Sequence, residues 1–298
     1  MNLRDLRYFV ALADTRHFGK AAERCFVSQP TLSAQIKKLE NYLGVQLLER
    51  QPRKVTLTET GQKILPLARR ILQESDEIVS LARNEHDPLS GKLKIAFIPT
   101  IGPYLLPLAA RKLRKQLPRL KLMLYEYQTQ PLLEKLRAGE IELGVLALPV
   151  PTDGLEVREL YEESFTVAVP NQHALAKKPH VKIDDLSGET LLLLEDGHCL
   201  RDQALDVCSL IDVKENEDYR ATSLETLRQM VAAGLGITLL PQLATRGPFG
   251  SGHGLAVKSF AKPIPSRTVG AVWRKSSARS EAISAVCDVI RTTMSEKS

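Results

Sequence analysis

From Gly91 onward the chain alternates short β-rich runs with helical ones, and this alternation leaves few folds open. KLKIAFI (92–98), LKLMLYEY (120–127) and IELGVLAL (141–148) read as strands. Between them, YLLPLAARKLRKQL (104–117) and PLLEKLRAG (131–139) read as helices, the second closed by glycine. Later strands are SFTVAVP (164–170), ETLLLL (189–194), GITLLP (236–241) and RTVGAVW (267–273). Strand–helix–strand order implies right-handed crossovers and parallel sheets covered on both faces. About 200 residues of this pattern are enough for two small α/β lobes. Ligands in such sheets bind beyond the carboxyl ends of strands, at switch points. HDPLSG (86–91) supplies a linker, with Pro and Gly as breakers.

The first part of the chain has a different character. Residues 1–70 hold 13 Lys/Arg against 6 Asp/Glu, whereas 71–90 hold one Arg against five acids. A basic block of this kind suits a polyanion, most simply nucleic acid. Within FGKAAERCFVSQPTLSAQIKKLENYLG (18–44), Ala21, Ala22 and Cys25 face inward from a short helix, and Phe26-Val27 fills the turn. Ser28 can cap the next helix, and Pro30 is tolerated in its first turn because no donor is missed there. Leu32, Ile36, Leu39 and Leu43 then form one apolar stripe, and Gly44 stops the helix. The outward face presents Gln29, Pro30, Thr31, Ser33, Gln35, Lys37 and Lys38. Two such helices make a helix-turn-helix whose second helix lies in a major groove. Gln can pair with adenine, Ser and Thr can bond bases or phosphates, and Lys binds phosphate. ERQPRKVTLTETG (49–61) reads as a small wing with Arg50, Arg53 and Lys54 on the DNA backbone or minor groove.

These motifs, from Leu6-Arg7-Tyr8-Phe9 through AAERCFVSQPTLSAQIKKLE to LLERQPRKVTLTETG, resemble the LysR-type transcriptional regulators. The resemblance implies an α/β chain of three parts. These are a winged helix-turn-helix (1–60), a dimerising linker helix and hinge (61–90), and a two-lobed effector domain similar to a periplasmic binding protein (91–298). The linker also reads this way unaided. Ile64, Ile71 and Ile78 recur at seven, as do Leu65, Leu72 and Val79, with Ala68 and Ala82 between them. Such a seam is too apolar for a lone surface helix and calls for a partner. A two-fold dimer then implies paired half-sites on double-stranded DNA.

Composition excludes several other classes. Hydrophobic content of 43% and charged content of 26% are ordinary for a folded chain, so wholesale disorder is not expected. No apolar run approaches the ~20 residues of a membrane span. The N-terminus reads as an amphipathic helix and not as a secretory signal, which points to a cytoplasmic protein without membrane attachment. Four cysteines are too few for a disulfide scaffold. His173, His180 and His253 show no metal-ligand spacing with them, so neither metal nor cofactor is expected.

Cys25 and Cys287 sit among apolar neighbours and read as small buried hydrophobes. Cys199 and Cys208 differ. In LLLLEDGHCLRDQALDVC (191–208) a buried strand runs out at Glu195-Asp196-Gly197, and His198 and Cys199 follow where an effector cleft should open. Arg201, two residues on, is a cation of the kind that favours a thiolate, and a thiolate attacks a peroxide oxygen. A cysteine that merely packs remains an alternative on spacing alone.

The GHC at 197–199, Arg201-Asp202 and Cys208 resemble the peroxide-sensing branch of the LysR family. That resemblance implies that Cys199 reacts first with hydrogen peroxide and that Cys208 resolves the sulfenic acid as a disulfide. It also implies two DNA footprints, recruitment of RNA polymerase by the oxidised form, reduction by glutaredoxin or thioredoxin, and a homodimer assembling further to a homotetramer. Thr100 and Thr129 follow the first and second strands of the effector region, so their hydroxyls are candidates for the cleft. With the His198 imidazole they can orient a small peroxide and stabilise the departing hydroxide. By resemblance, Arg267 faces the same region, and Arg201 is counted in the same peroxide pocket. If 199–208 is helical, its ends stand ~13 Å apart, whereas a disulfide needs Cα atoms within ~7 Å, so the segment must refold. Two other readings stay open: a LysR regulator of a small metabolite with an inert Cys199, and a thiol peroxidase with the basic end incidental.

Overall fold

The computed structural model describes residues 1–51, 54–84, 87–209, 211, 214–246 and 254–296. They form two compact units, Met1–His86 and Asp87–Ser298.

The first unit opens with α1 (Leu3–Thr15), started by a capping box in which the Asn2 side chain accepts from the Asp5 backbone and the Asp5 carboxylate accepts from that of Asn2. It continues with α2 (Phe18–Arg24) and α3 (Gln29–Leu43). The Ser28 hydroxyl accepts the Thr31 N–H at 3.3 Å, and Gly44 ends the helix at φ +70°. Leu32, Ile36 and Leu39 are buried against Phe9, Leu12 and Ala21, as their spacing requires. The antiparallel hairpin of β1 (Leu48–Gln51) and β2 (Lys54–Leu57) is the wing. Buried Glu40 fastens it by accepting the N–H groups of Leu47 (2.9 Å) and Leu48 (3.3 Å). The 26-residue helix α4 (Glu59–Asn84) follows. Its apolar residues divide. Ala68 is buried and Ile64, Leu65 and Leu72 pack on the core of this unit, but Ile71, Ile78 and Val79 are exposed.

One expectation fails here. Phe26 does not fill the turn. It stands 95% exposed with a left-handed backbone (φ +56°), while Val27 alone turns inward.

The second unit runs through β3 (Gly91–Phe97), α5 (Gly102–Gln116), β4 (Leu120–Glu126), α6 (Thr129–Arg137), β5 (Leu143–Leu148) and β6 (Leu155–Pro170). It continues with β7 (Thr190–Leu194), α7 (Cys199–Cys208), β8 (Lys214–Ala221), α8 (Leu224–Ala232) and β9 (Thr238–Pro241). β10 (Leu255–Ser259), β11 (Ser266–Arg274) and α9 (Ser280–Ser295) complete it. The main sheet has the order β10-β6-β11-β5-β3-β4, with β9 also on β6.

The sheets are mixed, which corrects the expectation of parallel ones. Only β3 with β4, β3 with β5, and β7 with β8 are parallel; β11 is antiparallel to β5 and β6, and β9 and β10 are antiparallel to β6. The reason lies in β6, which is sixteen residues long. Leu155–Ser164 pair with the returning β11, and Phe165–Pro170 carry β9 and β10, so one strand threads both halves of the domain. Its first half is largely polar on one face, which is why only the apolar end was legible as a strand. No helix among the described residues is long and apolar enough to cross a membrane.

Candidate functional site

The site is built where β7 ends. Its leucines are buried, so the chain reaches the surface only at Glu195-Asp196-Gly197. Gly197 has φ +94°, and a Cβ there would stand 2.9 Å from the Gln128 side-chain oxygen. Glycine therefore serves both the left-handed turn and the close approach. Gln128 also donates to the Glu195 carboxylate at 3.3 Å. The loop after β4 thus meets the loop after β7.

α7 begins at Cys199 and ends at Cys208, so the two sulfurs sit at opposite ends of ten helical residues. Both thiols are free. Nine steps at ~1.5 Å separate the ends by ~13 Å, about twice the reach of a disulfide. The thiols occupy different surroundings. Cys199 is half-buried at the head of the helix, whereas Cys208 is 5% exposed and burial pushes its pKa up to about 11. At neutral pH Cys208 is a protonated thiol, a poor first nucleophile.

Beside Cys199, His198 is 5% exposed and its Nε2 has no hydrogen-bond partner among the described residues; the nearest carboxylate oxygen, from Glu195, is 3.8 Å away. Burial holds its pKa below the ordinary 6.5, against the pull of Glu195, so the ring is neutral at pH 7. The Thr129 hydroxyl, on the first residue of α6, is also buried without a partner. Orphaned buried polar atoms are uncommon and mark a place for a small polar guest.

Thr100 and Arg267 are brought together. Arg267 Nη1 donates to the Thr100 hydroxyl at 3.1 Å and Nη2 to the Thr100 carbonyl at 3.0 Å. Arg267 Nε also donates to Glu163 at 2.9 Å, within an ion pair whose side chains are 1% and 2% exposed. The other Glu163 oxygen accepts the Leu243 N–H at 2.9 Å. Because the Thr100 oxygen is occupied as an acceptor, its O–H is left to donate elsewhere. Tyr127 N–H bonds the Phe97 carbonyl, which sets the carboxyl ends of β3 and β4 side by side.

Arg201 is engaged elsewhere. Its Nη2 donates to both oxygens of Glu215 (2.9 and 3.1 Å), and its Nε lies 3.3 Å from Asp196. Arg220 bridges the same two acids, 3.0 Å from Asp196 and 3.5 Å from Glu215. Two arginines and two carboxylates close a ring that fastens the first turn of α7 to β8. Sequence reasoning missed this ring, Glu163 and Gln128. The one signal is the unusual charge of KENEDYRA (214–221), which carries no apolar strand pattern.

In the first unit, Gln29, Pro30, Thr31, Lys37 and Lys38 are exposed on α3, and Ser33 and Gln35 are half-buried. Arg53 lies outside the described residues, and Arg50 and Lys54 are described as backbone only, in β1 and β2. No cluster of three or more His, Cys, Asp or Glu among the described residues is arranged for a metal.

Residues 3–62 match the bacterial regulatory helix-turn-helix protein of the lysR family, and residues 86–295 match the LysR substrate binding domain. The chain is 45% identical over 294 residues to the DNA-binding transcriptional dual regulator OxyR of Escherichia coli K12, covering 99% of this chain and 96% of that one. Among solved structures it is similar to a full-length OxyR variant from Pseudomonas aeruginosa (TM-score 0.80, 40% identity, 98% and 95% coverage). It is also similar to a hydrogen peroxide-bound OxyR variant from Corynebacterium glutamicum (TM-score 0.69, 37% identity, 99% and 93% coverage). With both domain matches together spanning nearly its full length, the chain belongs to the LysR family of bacterial transcriptional regulators.

Proposed function

We propose that this regulator senses hydrogen peroxide through Cys199 and Cys208 and activates oxidative-stress genes. One observation carries the reading: a ten-residue helix bounded by two free thiols, one half-exposed beside orphaned polar atoms and the other buried and protonated. The Cys199 thiolate attacks one peroxide oxygen. The S–O bond forms, the O–O bond breaks, and hydroxide leaves to become water. Thr100, Thr129 and neutral His198 hold the peroxide, with Arg267 orienting Thr100. Once α7 unwinds, the Cys208 sulfur attacks the sulfenic sulfur, the S–S bond forms and a second water leaves. Each protein is oxidised by two electrons per peroxide, so the chain is a stoichiometric sensor and not an enzyme. Arg201 acts at the same site by holding the helix in its reduced form.

Gln29, Pro30, Thr31, Ser33, Gln35, Lys37 and Lys38, with Arg50 and Arg53 of the wing, bind double-stranded DNA in the cytoplasm. The exposed Ile71, Ile78 and Val79 of α4 join a homodimer across the linker region 61–90, and two dimers form a tetramer. The oxidised effector domain 91–298 engages RNA polymerase. Glutaredoxin or thioredoxin restores the thiols by exchange.

The test is intact-mass and peptide mapping before and after one equivalent of peroxide. The expected result is loss of two hydrogens confined to the 199–208 peptide, with altered DNA footprint, and none of this in Cys199→Ser. Sustained peroxide turnover by the chain lacking residues 1–88, or an unaltered response in Cys199→Ser, would overturn it.

A further inference from the structure

Phe26 is 95% exposed, more than any other large apolar residue given among the described residues. A single exposed apolar side chain is ordinary on a protein surface. What sets Phe26 apart is that its backbone is also held at φ +56°, where an L-residue is strained and glycine or asparagine is not. The conformation is fixed by bonds on both sides. Cys25 N–H reaches the Ala21 carbonyl (3.0 Å), Phe26 N–H reaches that of Glu23 (3.1 Å), and Val27 N–H reaches that of Ala22 (3.0 Å). This is the way a helix closes on a left-handed residue. The ring cannot fold back into the core, because Val27 takes the inward place and Ser28 already caps α3.

We propose that Phe26 is a DNA contact: its ring packs on the apolar parts of the duplex, the deoxyribose C–H faces and a thymine methyl, at the rim of the groove that α3 enters. Place selects this partner. In a helix-turn-helix the N-terminal residues of the second helix meet base edges. Phe26 stands two residues before the Ser28 cap, beside exposed Gln29, Pro30 and Thr31. With α3 docked in this way, a side chain at that point is placed to meet the backbone wall of the same groove. Exposed Lys20, Lys37 and Lys38 lie on the two helices flanking it and suit the phosphates, leaving an apolar ring to take the sugars and methyl groups. The contact adds affinity, and at a thymine it adds preference, without neutralising any phosphate.

The experiment compares full-length wild type with Phe26→Ala, Phe26→Gly and Phe26→Leu. The probe is a duplex selected by the wild-type protein from a randomised pool, titrated by fluorescence anisotropy across a potassium chloride series. Phe26→Gly suits the turn, so it separates loss of contact from loss of fold. Alanine and glycine are expected to weaken binding about tenfold, the worth of burying roughly half of a phenylalanine side chain. Leucine is expected to stay within about threefold of wild type, being apolar and of similar volume. The slope of affinity against salt should be unchanged, because no phosphate contact is lost. Wild-type affinity in both Phe26→Ala and Phe26→Gly would overturn the proposal. So would a shallower salt slope, which would mean that the ring only positions phosphate-binding groups. Unchanged DNA binding with loss of transcription in vitro would assign the ring to a protein partner instead and would equally overturn it.

Discussion

Cys199 and Cys208 are chemically identical side chains made unequal by burial. The buried thiol, with its pKa raised to about 11, stays protonated while α7 is intact, which supports Cys199 as the proposed first site of reaction. Cys208→Ser is therefore expected to lose its Cys199 thiol to peroxide at the wild-type initial rate but to stall as sulfenic acid, trapped by dimedone and read by mass. Wild-type disulfide yield in that variant, or an unreactive Cys199, would contradict the division. His198 makes a pH prediction whose sign follows from its depressed pKa. Above the ordinary 6.5 the ring is neutral folded and unfolded, and stability is complete. As pH falls through 6.5 the unfolded chain takes the proton first, so stability declines until the folded pKa is passed. The thermal midpoint of the protein should thus fall between pH 7 and pH 5 more steeply than in His198→Gln. Parallel curves for the two would show that His198 does not titrate as described. The place of Cys199 just after a buried strand was legible in the sequence. The unequal burial of Cys199 and Cys208 was not, because burial belongs to the packed domain.

At the scale of elements, α7 and β8 are held by the ring of Arg201, Glu215, Arg220 and Asp196. The ring engages Arg201 in the first turn of α7, so it is expected to oppose the proposed refolding that brings the sulfurs together. Glu215→Gln is expected to leave the first peroxide step unchanged and to speed disulfide formation by about tenfold, the worth of one charge-assisted hydrogen bond. Rapid-quench mass analysis separates the two steps; an equal rate of closure in the variant would remove the ring from the barrier. KENEDYRA has five charged residues among eight and no apolar alternation that would mark a strand. Its two ends pair in parallel with β7, and the ring takes up the charges of Glu215 and Arg220. The amphipathic elements were legible for the opposite reason. In α3 the apolar spacing and the two caps agree with the fold, and local preference and packing ask for the same structure.

At the scale of the whole molecule, the proposed dimer rests on the exposed face of α4. Ile78 is 69% exposed on a helix whose other apolar side packs within its own unit. Ile78→Asp is expected to shift the sedimentation behaviour toward monomer and to weaken binding to a paired half-site duplex far more than to a single half-site. Unchanged assembly in the variant would place the dimer contact elsewhere. A two-fold assembly carries a local event at α7 to two reading helices at once, because a covalent bond selects one of two packings and the contacts between copies can differ between them.

Local pattern was enough to specify the elements whose periodicity, caps and turn residues all agree: the helix-turn-helix, the long helix, the buried strands and the position of the two cysteines after β7. These are local properties, written within a few turns of chain. That the main sheet is mixed follows from long-range packing, because the pairing of β11 with β6 joins segments about a hundred residues apart. The same holds for the meeting of Arg267 with Thr100 and Glu163 and for the place of Arg201 in a charge ring. Each is a contact set by distant packing, and no residue carries that information in its own neighbourhood.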